Sequence, residues 1–424
     1  MTIIDEIARV RAAAGRPTRR SVLASAAAVL VQLARIPAAA CAEKPSADAA
    51  PRAASFAAFV EDLWPDAEAC GVSRKTFDLA FHGVTYDPKI VAHTENQPEF
   101  VQPIWDYLAA AVSERRVARA QAVATEFRPW FAKARDAYGV DPGALIGIWG
   151  LETEFGAFCG GDYVVRALAS LASVRFQDDY FRDELLAALE ILEDGDIAPA
   201  RMLGSWAGAM GQTQFMPSSF RKFAVDFDGG GRRDIWTSAP DAIGSAANYL
   251  AGHGWIAGAP WGFEVTLPQD FALKASDCAN FVPFGAFAAR GVARADGGSL
   301  PDKGEALLLI TAGLKAPIFL VTRNFFVIKS YNDSTSYALG VALLGDRAMG
   351  AEPLRTAWPV HDRQLSAAEM REMQTRLRGM GYDVGKVDGR IGDFGRAALR
   401  AYQESSGEIP DGYPTLAMLL KMRR

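Results

Sequence analysis

Most of the chain from Phe56 to Gly262 carries apolar residues at every third or fourth position, which is the spacing of amphipathic helices. The clearest examples are Phe56–Trp64, Val112–Tyr138 and Phe181–Leu192. This pattern predicts a mainly α-helical fold over that part of the chain.

Short β-rich runs replace the helical pattern between Trp261 and Ile328, where Gly, Pro and Asn separate them. The runs are Phe263–Leu267, Ala306–Ile310, Ile318–Thr322 and Phe325–Ile328. We expect them to form a small sheet, at about 261–329, inserted into a helical domain that covers 56–348. Helical spacing returns at Thr335–Leu344.

The two ends of the chain differ from the middle. Residues 1–42 resemble a twin-arginine export signal, with Arg19-Arg20 before an apolar run and Ala40-Cys41-Ala42 at the expected cleavage site. This predicts a periplasmic protein, and an uncleaved membrane anchor or a lipid anchor on Cys41 is the alternative. Segment 43–55 is rich in Ala, Pro and Ser and predicts a flexible linker, while 349–364 predicts a second linker.

Composition describes an ordinary globular protein. Of the 424 residues, 50% are hydrophobic and 22% are charged, and the formal net charge is −5. A nucleic-acid partner is not expected, because such proteins carry a basic surface. Beyond residue 42 there are three cysteines, Cys70, Cys159 and Cys278, so one disulfide and one free thiol are compatible with the count.

Candidate chemistry begins at Ala144–Gly156, a stretch that is apolar up to Leu151 and then places an acid, Glu152. Asp141-Pro142 predicts a helix start, with Asp as the N-cap and Pro at the first helical position. A carboxyl at the end of such an apolar helix is poorly hydrated, which raises its pKa and suits a general acid. The alternative is a helix-end acid that reaches solvent or pairs with a nearby Arg.

A second stretch, Gly204–Ser219, combines closely spaced glycines with Ser205, Gln212 and Gln214. Glycines allow a ligand to approach the backbone, and these polar side chains can donate and accept hydrogen bonds. A tight helix–helix crossing that needs small residues explains the composition equally well.

These stretches carry a resemblance to a known family. Gly150–Gly156 and Gly204–Pro217 are similar to signatures of the B-type lytic murein transglycosylases. The likeness extends over roughly Phe56–Arg347. It also includes Gly71–Ser73, Asn96–Phe100, Val225–Asp228, Asn248–Leu250 and Tyr331-Asn332.

The resemblance implies a lysozyme-like helical core that cleaves the β-1,4 bond between N-acetylmuramic acid and N-acetylglucosamine. It places Glu152 at the position of the family's single catalytic acid, and the product is then a 1,6-anhydro sugar. Glu154 lies about 200° away from Glu152 around a helix, so we interpret it as structural or solvated. By match to the family, the residues that line the glycan cleft are Ser205, Gln212, Gln214, Tyr249, Tyr331 and Asn332.

A loop from Asp226 to Asp234 resembles the front of an EF-hand calcium loop. Asp226, Asp228 and Asp234 fill positions one, three and nine of such a loop. Gly230 fills position five and Thr237 fills position twelve, where acidic ligands are expected. We therefore expect calcium binding to be weak or absent and no other cofactor. The alternative to a metal site is a turn in which Asp side chains accept backbone N–H groups.

The last segment, 365–424, resembles a three-helix peptidoglycan-binding domain, so glycan strands of peptidoglycan are the expected partner. The sequence does not specify contacts with the wall-synthesis machinery, and a monomer is expected. Two other functions remain open. A hydrolytic muramidase would use a second carboxylate and leave a reducing muramic acid, and a non-catalytic scaffold would bind the wall without cutting it.

Overall fold

The computed structural model describes residues 49–95 and 102–424. The predicted signal, the beginning of the predicted first linker and the Asn96–Phe100 motif lie outside the described residues. Within the described ranges, no helix combines the length and apolar character needed to cross a bilayer.

The first helix of the described residues, α1 (Ala49–Ala69), corrects part of the linker prediction for 43–55, because residues 49–55 are helical. Alanine dominates this segment and has the highest helix propensity. Pro51 falls in the first turn, where its missing N–H breaks no intrahelical hydrogen bond. Composition alone does not distinguish such a helix start from a flexible linker.

Ten further helices precede the sheet in the described chain. They are α2 (Arg74–Phe81), α3 (Pro88–Glu95), α4 (Ile104–Ala111), α5 (Glu114–Glu126), α6 (Arg128–Tyr138), α7 (Pro142–Thr153), α8 (Val164–Ser173), α9 (Tyr180–Asp194), α10 (Pro217–Phe223) and α11 (Ala239–Gly252). The predicted helix Val112–Tyr138 is thus two helices that meet at Phe127. Two short strands, β1 (Asp162–Tyr163) and β2 (Leu203–Gly204), pair antiparallel beside the helices.

The inserted sheet has five antiparallel strands in the order β4-β6-β7-β3-β5. The strands are β3 (Gly262–Thr266), β4 (Val282–Pro283), β5 (Ala293–Arg294), β6 (Glu305–Ile310) and β7 (Ile318–Val321), with the short helix α12 (Phe284–Ala289) after β4. Every residue of β7 is buried. Phe319 and Val321 join the main helical core, whereas Ile318 and Leu320 join a second cluster around Phe284. The sheet therefore separates two cores, as its alternating side chains require.

The predicted strand Phe325–Ile328 is wrong, because these residues lie in helix α13 (Arg323–Tyr331). A short run of large apolar residues suits a buried strand and a buried helix equally. The cap decides between them, since the Thr322 side chain accepts a hydrogen bond from the Asn324 N–H at 3.2 Å.

Helix α14 (Thr335–Ala348) crosses α7 at very short distance, through glycines on both helices. A Cβ added to Gly147 would lie 2.1 Å from the carbonyl oxygen of Val341, and one added to Gly345 would lie 2.3 Å from that of Gly143. α7 is accordingly buried on nearly all sides up to Gly150.

The chain ends in a small domain of three helices, α15 (Ala367–Gly379), α16 (Asp393–Ser405) and α17 (Leu416–Met422). Their core contains Met373, Leu377, Leu399 and Leu419. The segment before α15 has no helix or strand, but it is attached to the sheet. The N–H groups of Arg355 and Thr356 each donate to the Glu264 carboxylate at 2.8 Å.

The close crossing of α7 and α14 predicts that Gly147→Ala destabilises the protein by about 1–3 kcal/mol, because the new methyl group overlaps the α14 backbone. Gly285→Ala is the control, since this helical glycine has no atom within 4 Å of an added Cβ. It should stabilise by about 0.5–1 kcal/mol through helix propensity. Urea unfolding of both variants measures the difference, and equal effects would contradict this view of the crossing.

Candidate active site

Glu152 lies in the last turn of α7, and its position follows from the local sequence. The helix begins as predicted, because the Asp141 side chain accepts the Gly143 N–H at 2.8 Å and Pro142 occupies the first turn. It ends as Glu154 and Phe155 adopt left-handed backbone angles, with φ of 50° and 60°. The apolar helix thus delivers one acid to the point where the chain turns away.

The Glu152 carboxyl is surrounded by protein but partly open to solvent. The hydroxyl of Tyr337, on α14, donates a hydrogen bond to its Oε1 at 2.5 Å. Burial raises the pKa of Glu152 from 4.5 to about 7, and the bond from Tyr337 opposes that rise. The carboxyl can therefore both give and take a proton near neutral pH, which is the property of a general acid and base.

Four tyrosines surround this carboxyl, namely Tyr107, Tyr249, Tyr331 and Tyr337. Burial, followed by the negative charge of Glu152, raises the pKa of Tyr107, Tyr331 and Tyr337. For Tyr249, burial is again the main cause and Glu152 contributes less. The four phenols therefore stay protonated, as hydrogen-bond donors, over any physiological pH.

Two of these tyrosines were predicted to line the cleft, and both are fixed by hydrogen bonds to the backbone. Tyr249 donates to the carbonyl of Ser330 at 2.8 Å, and Tyr331 donates to that of Thr213 at 2.7 Å. Their ring centroids lie 4.7 Å apart. Together they form a rigid aromatic wall close to Glu152.

Sequence reasoning missed Tyr107 and Tyr337. The available signal was a phenol on an otherwise apolar buried helix, because a buried hydroxyl normally has a polar partner. Tyr337 has Glu152 as that partner. In the described residues, the buried hydroxyl of Tyr107 has no hydrogen-bond partner.

Glu154 makes structural contacts, but it follows the helix in a left-handed conformation and does not continue it as the sequence reasoning assumed. Its Oε1 accepts a hydrogen bond from Nε of Arg116 at 2.8 Å, and the NH2 group of Arg116 contacts the same oxygen. Arg116 also donates to the carbonyls of Ala110 and Ala111 at 2.8 and 2.9 Å. Glu154 thus connects the end of α7 to the turn between α4 and α5.

The glycine-rich stretch forms a compact loop rather than a helix crossing. A Cβ on Gly208 would lie 2.4 Å from Leu168, and one on Gly211 would lie 2.7 Å from the Ile235 carbonyl. Gly208 and Gly211 therefore make room for neighbouring protein atoms. Within the loop, Ser205 accepts the Ala209 N–H through its Oγ at 3.1 Å.

The remaining predicted cleft residues differ in burial and in the hydrogen bonds that they make within the protein. Gln212 is buried, and its Oε1 accepts the Trp149 indole N–H at 3.0 Å, so it supports α7. Gln214 is partly exposed and donates to the carbonyls of Gly211 and Cys159 at 2.9 and 3.2 Å. Asn332 is buried and ends α13.

The EF-hand-like loop brings together a different set of acids from the predicted one. Carboxylate oxygens of Asp226, Asp228 and Asp241 lie within 4.8 Å of one another, whereas Asp234 is not in this group. Instead, Asp234 accepts the N–H groups of Trp236 and Thr237 at 3.0 and 2.8 Å. Sequence reasoning missed Asp241 because it lies beyond the motif, in the first turn of α11.

These acids are already used by the backbone of the loop. Asp226 accepts the N–H groups of Gly229 and Gly231 at 2.9 and 2.8 Å. Buried Asp241 accepts those of Phe227, Asp228 and Asp234 at 2.7, 3.0 and 2.8 Å. The donor set therefore fits a cation only in part, because both carboxylates hold the loop together without one.

A mainly helical fold, with one protonatable acid at the end of a buried helix and phenols around it, defines the class of lysozyme-like enzymes that cleave glycosidic bonds. Comparison with known families specifies the class further. Residues 55–346 match the family "Transglycosylase SLT domain", and residues 366–422 match "Putative peptidoglycan binding domain". The chain belongs to the SLT transglycosylase family, that of the lytic murein transglycosylases, which confirms the resemblance found in the motifs.

Individual relatives agree with this assignment. Membrane-bound lytic murein transglycosylase B of Escherichia coli is 35% identical over 221 residues, which cover 50% of this chain and 58% of the relative. SltB3 of Pseudomonas aeruginosa, solved with NAG-anhNAM-pentapeptide, is 43% identical with a TM-score of 0.81, over 87% of this chain and 99% of that one. Slt35 of Escherichia coli, solved in complex with calcium, is 27% identical with a TM-score of 0.56, over 70% and 92%.

The raised pKa of Glu152 predicts a stability cost that appears as pH rises. An unfolded Glu ionises near pH 4.5 and the folded one near 7, so the folded state loses stability between these values. Glu152→Gln removes this cost and should be more stable than the wild type by about 3 kcal/mol at pH 8, and nearly equal to it at pH 4. Glu61→Gln, on the exposed face of α1, is the control. Denaturant unfolding at both pH values measures the difference, and a difference independent of pH would contradict the assignment.

Proposed function

We propose that this chain is a lytic transglycosylase that cleaves the β-1,4 bond between N-acetylmuramic acid and N-acetylglucosamine in peptidoglycan, in wall remodelling or turnover. The observation that carries the proposal is the Glu152 carboxyl, with its pKa near 7 and its bond to Tyr337. The family assignment supports the substrate, and so does the peptidoglycan fragment named in the SltB3 complex.

The reaction requires one acid that acts twice. Protonated Glu152 gives its proton to the glycosidic oxygen, and the bond from that oxygen to C1 of muramic acid breaks through an oxocarbenium-like transition state. Glu152, now a carboxylate, takes the proton of the C6 hydroxyl as that oxygen forms a bond to C1. The product is a 1,6-anhydro ring, Glu152 regains its proton, and no water is consumed.

The remaining site groups position the sugar. The N-acetyl oxygen of the substrate stabilises positive charge at C1. Ser205, Gln214, Tyr249, Tyr331 and Asn332 line the cleft, and Tyr249 and Tyr331 offer an apolar face to a sugar ring. We place Gln212 behind the cleft, because its side chain holds Trp149.

Hydrolysis is the alternative that this environment disfavours. A retaining hydrolase carries a second carboxyl about 5–5.5 Å from the first, and an inverting one carries it somewhat farther away. In the described chain, the causes that shift the pKa of Glu152 are burial and the Tyr337 bond, without a second acid. A non-catalytic scaffold is disfavoured for another reason, since it would not need a buried acid that costs stability.

The C-terminal domain is proposed to hold the enzyme on the wall and to raise the local concentration of glycan. We further propose that the chain works as a monomer in the periplasm after export, with a lipid- or signal-anchored form as the alternative. The E. coli relative is named a membrane-bound enzyme, and that name is compatible with either location.

The proposal predicts the product. Purified protein incubated with sacculi should release muropeptides that end in 1,6-anhydromuramic acid, each lighter by one water than the hydrolytic product. Glu152→Gln should lower the rate by at least about 100-fold, because the variant has no proton to donate. Mass spectrometry of the fragments distinguishes the outcomes. Reducing ends would establish a muramidase, and uncut glycan with wild-type protein would establish a scaffold.

We also propose that the Asp226–Asp234 loop does not need calcium to fold. Its amides are bound by Asp226 and Asp241, and Arg233 points away from the loop, to Asp196, with Nε 3.1 Å from Oδ2. If a cation bound, Asp226 and Asp228 would hold it. The cation would only neutralise the negative charge of these two carboxylates.

Removing divalent cations should therefore change stability very little. A weak site half-filled by calcium stabilises by only about 0.4 kcal/mol. Thermal unfolding in EDTA and in millimolar calcium should give midpoints that agree closely. A large rise of the midpoint in calcium, absent in Asp226→Asn, would show that the loop is a true calcium site.

A further inference from the structure

The small C-terminal domain is docked on the catalytic domain through contacts next to the active site. Lys329 of α13 is 5% exposed, and its ammonium group contacts the carboxylate of Asp393, the first residue of α16. Its other acidic neighbour, Asp333, is 3.8 Å away. An ammonium group buried to this degree requires a close negative charge, and the other domain supplies the closer one.

This ion pair lies directly before the aromatic wall. The residue after Lys329 is Ser330, whose carbonyl accepts the hydroxyl of Tyr249, and the next is Tyr331 itself. A shift of the last turn of α13 would therefore displace Tyr331 and remove the hydrogen bond that fixes Tyr249.

A second contact involves helix α4. Tyr413, in the loop before α17, is buried in an apolar cluster with Trp105, Ala312 and Ala316. Its hydroxyl donates to Asp362 at 2.7 Å, which fixes the ring in place. Trp105 is two residues before Tyr107, another of the four tyrosines around Glu152.

We propose that the C-terminal domain positions the catalytic cleft, in addition to binding the wall, with Lys329 and Asp393 as positioning residues for Tyr249 and Tyr331. The two contacts just described, called the domain contact, attach the C-terminal domain to α13 and α4, the helices that carry Tyr331 and Tyr107. The expected effect on turnover rests on the proposed function. The expected effect on the structure around Tyr249 and Tyr331 does not.

The choice of substrate distinguishes two roles of the C-terminal domain, namely binding to the wall and alignment of the cleft. Soluble peptidoglycan fragments with peptide stems need no tether, so a domain that only tethers has no effect on their turnover. Asp393→Asn and Lys329→Met each break the ion pair in the full-length protein. Glu408→Gln breaks the Lys421–Glu408 pair inside the same domain, away from the domain contact, and is the matched control.

We expect kcat on soluble fragments, and kcat/KM with it, to fall about tenfold in both ion-pair variants, because misaligned reacting groups lower the rate strongly. The double variant should be no worse than the poorer single variant, since the two residues act through one interaction. Glu408→Gln should match the wild type. Binding to sacculi, measured by sedimentation, should be retained in Asp393→Asn.

Hydrogen exchange supplies a readout that does not depend on turnover. Amides at 323–337 should exchange faster in Asp393→Asn than in the wild type, while Glu408→Gln leaves them unchanged. Wild-type exchange at 323–337 together with wild-type kcat in the ion-pair variants would overturn the proposal. If the wild-type protein makes no anhydro product, the proposed function is refuted instead. In that case the hydrogen-exchange result alone tests whether the domain contact positions Tyr249 and Tyr331.

Discussion

The hydrogen bond between Tyr337 and Glu152 joins two helices, and its length depends on how closely these helices approach. α7 and α14 meet through Gly143, Gly147 and Gly345, and a methyl group on Gly147 or Gly345 would overlap the opposite backbone. Only at this separation does the phenol of one helix reach the carboxyl of the other at 2.5 Å. The same closeness excludes water from most of the acid, and burial then raises its pKa to about 7. Packing of glycines thus sets the chemistry of the carboxyl.

Much of this arrangement could be predicted from the sequence because it depends on local signals. Asp141-Pro142 caps α7, the apolar run predicts its burial, and the acid that follows predicts a raised pKa. The motifs around Glu152 and Gly204–Pro217 were sufficient to indicate the family. The three-helix unit at the C-terminus was predicted from its resemblance to peptidoglycan-binding domains.

The parts that sequence reasoning missed depend on contacts between distant segments. Tyr337 is 185 positions from Glu152, and no local pattern connects them. Asp241 gathers amides from a loop that ends before it. Phe325–Ile328 has the composition of a strand, and one cap residue, Thr322, makes it helical. In each case a contact with a distant residue or with a cap overrode or completed the local structural preference. Sequence patterns within a short segment do not contain that contact.

The cysteines have a consequence for how the chain reaches its native state. Cys70, Cys159 and Cys278 are all free, and Cys278 is buried in the core beside the sheet. The described fold therefore does not depend on a disulfide among these three cysteines. With no disulfide to form among them, the described fold is compatible with a reducing environment as well as an oxidising one.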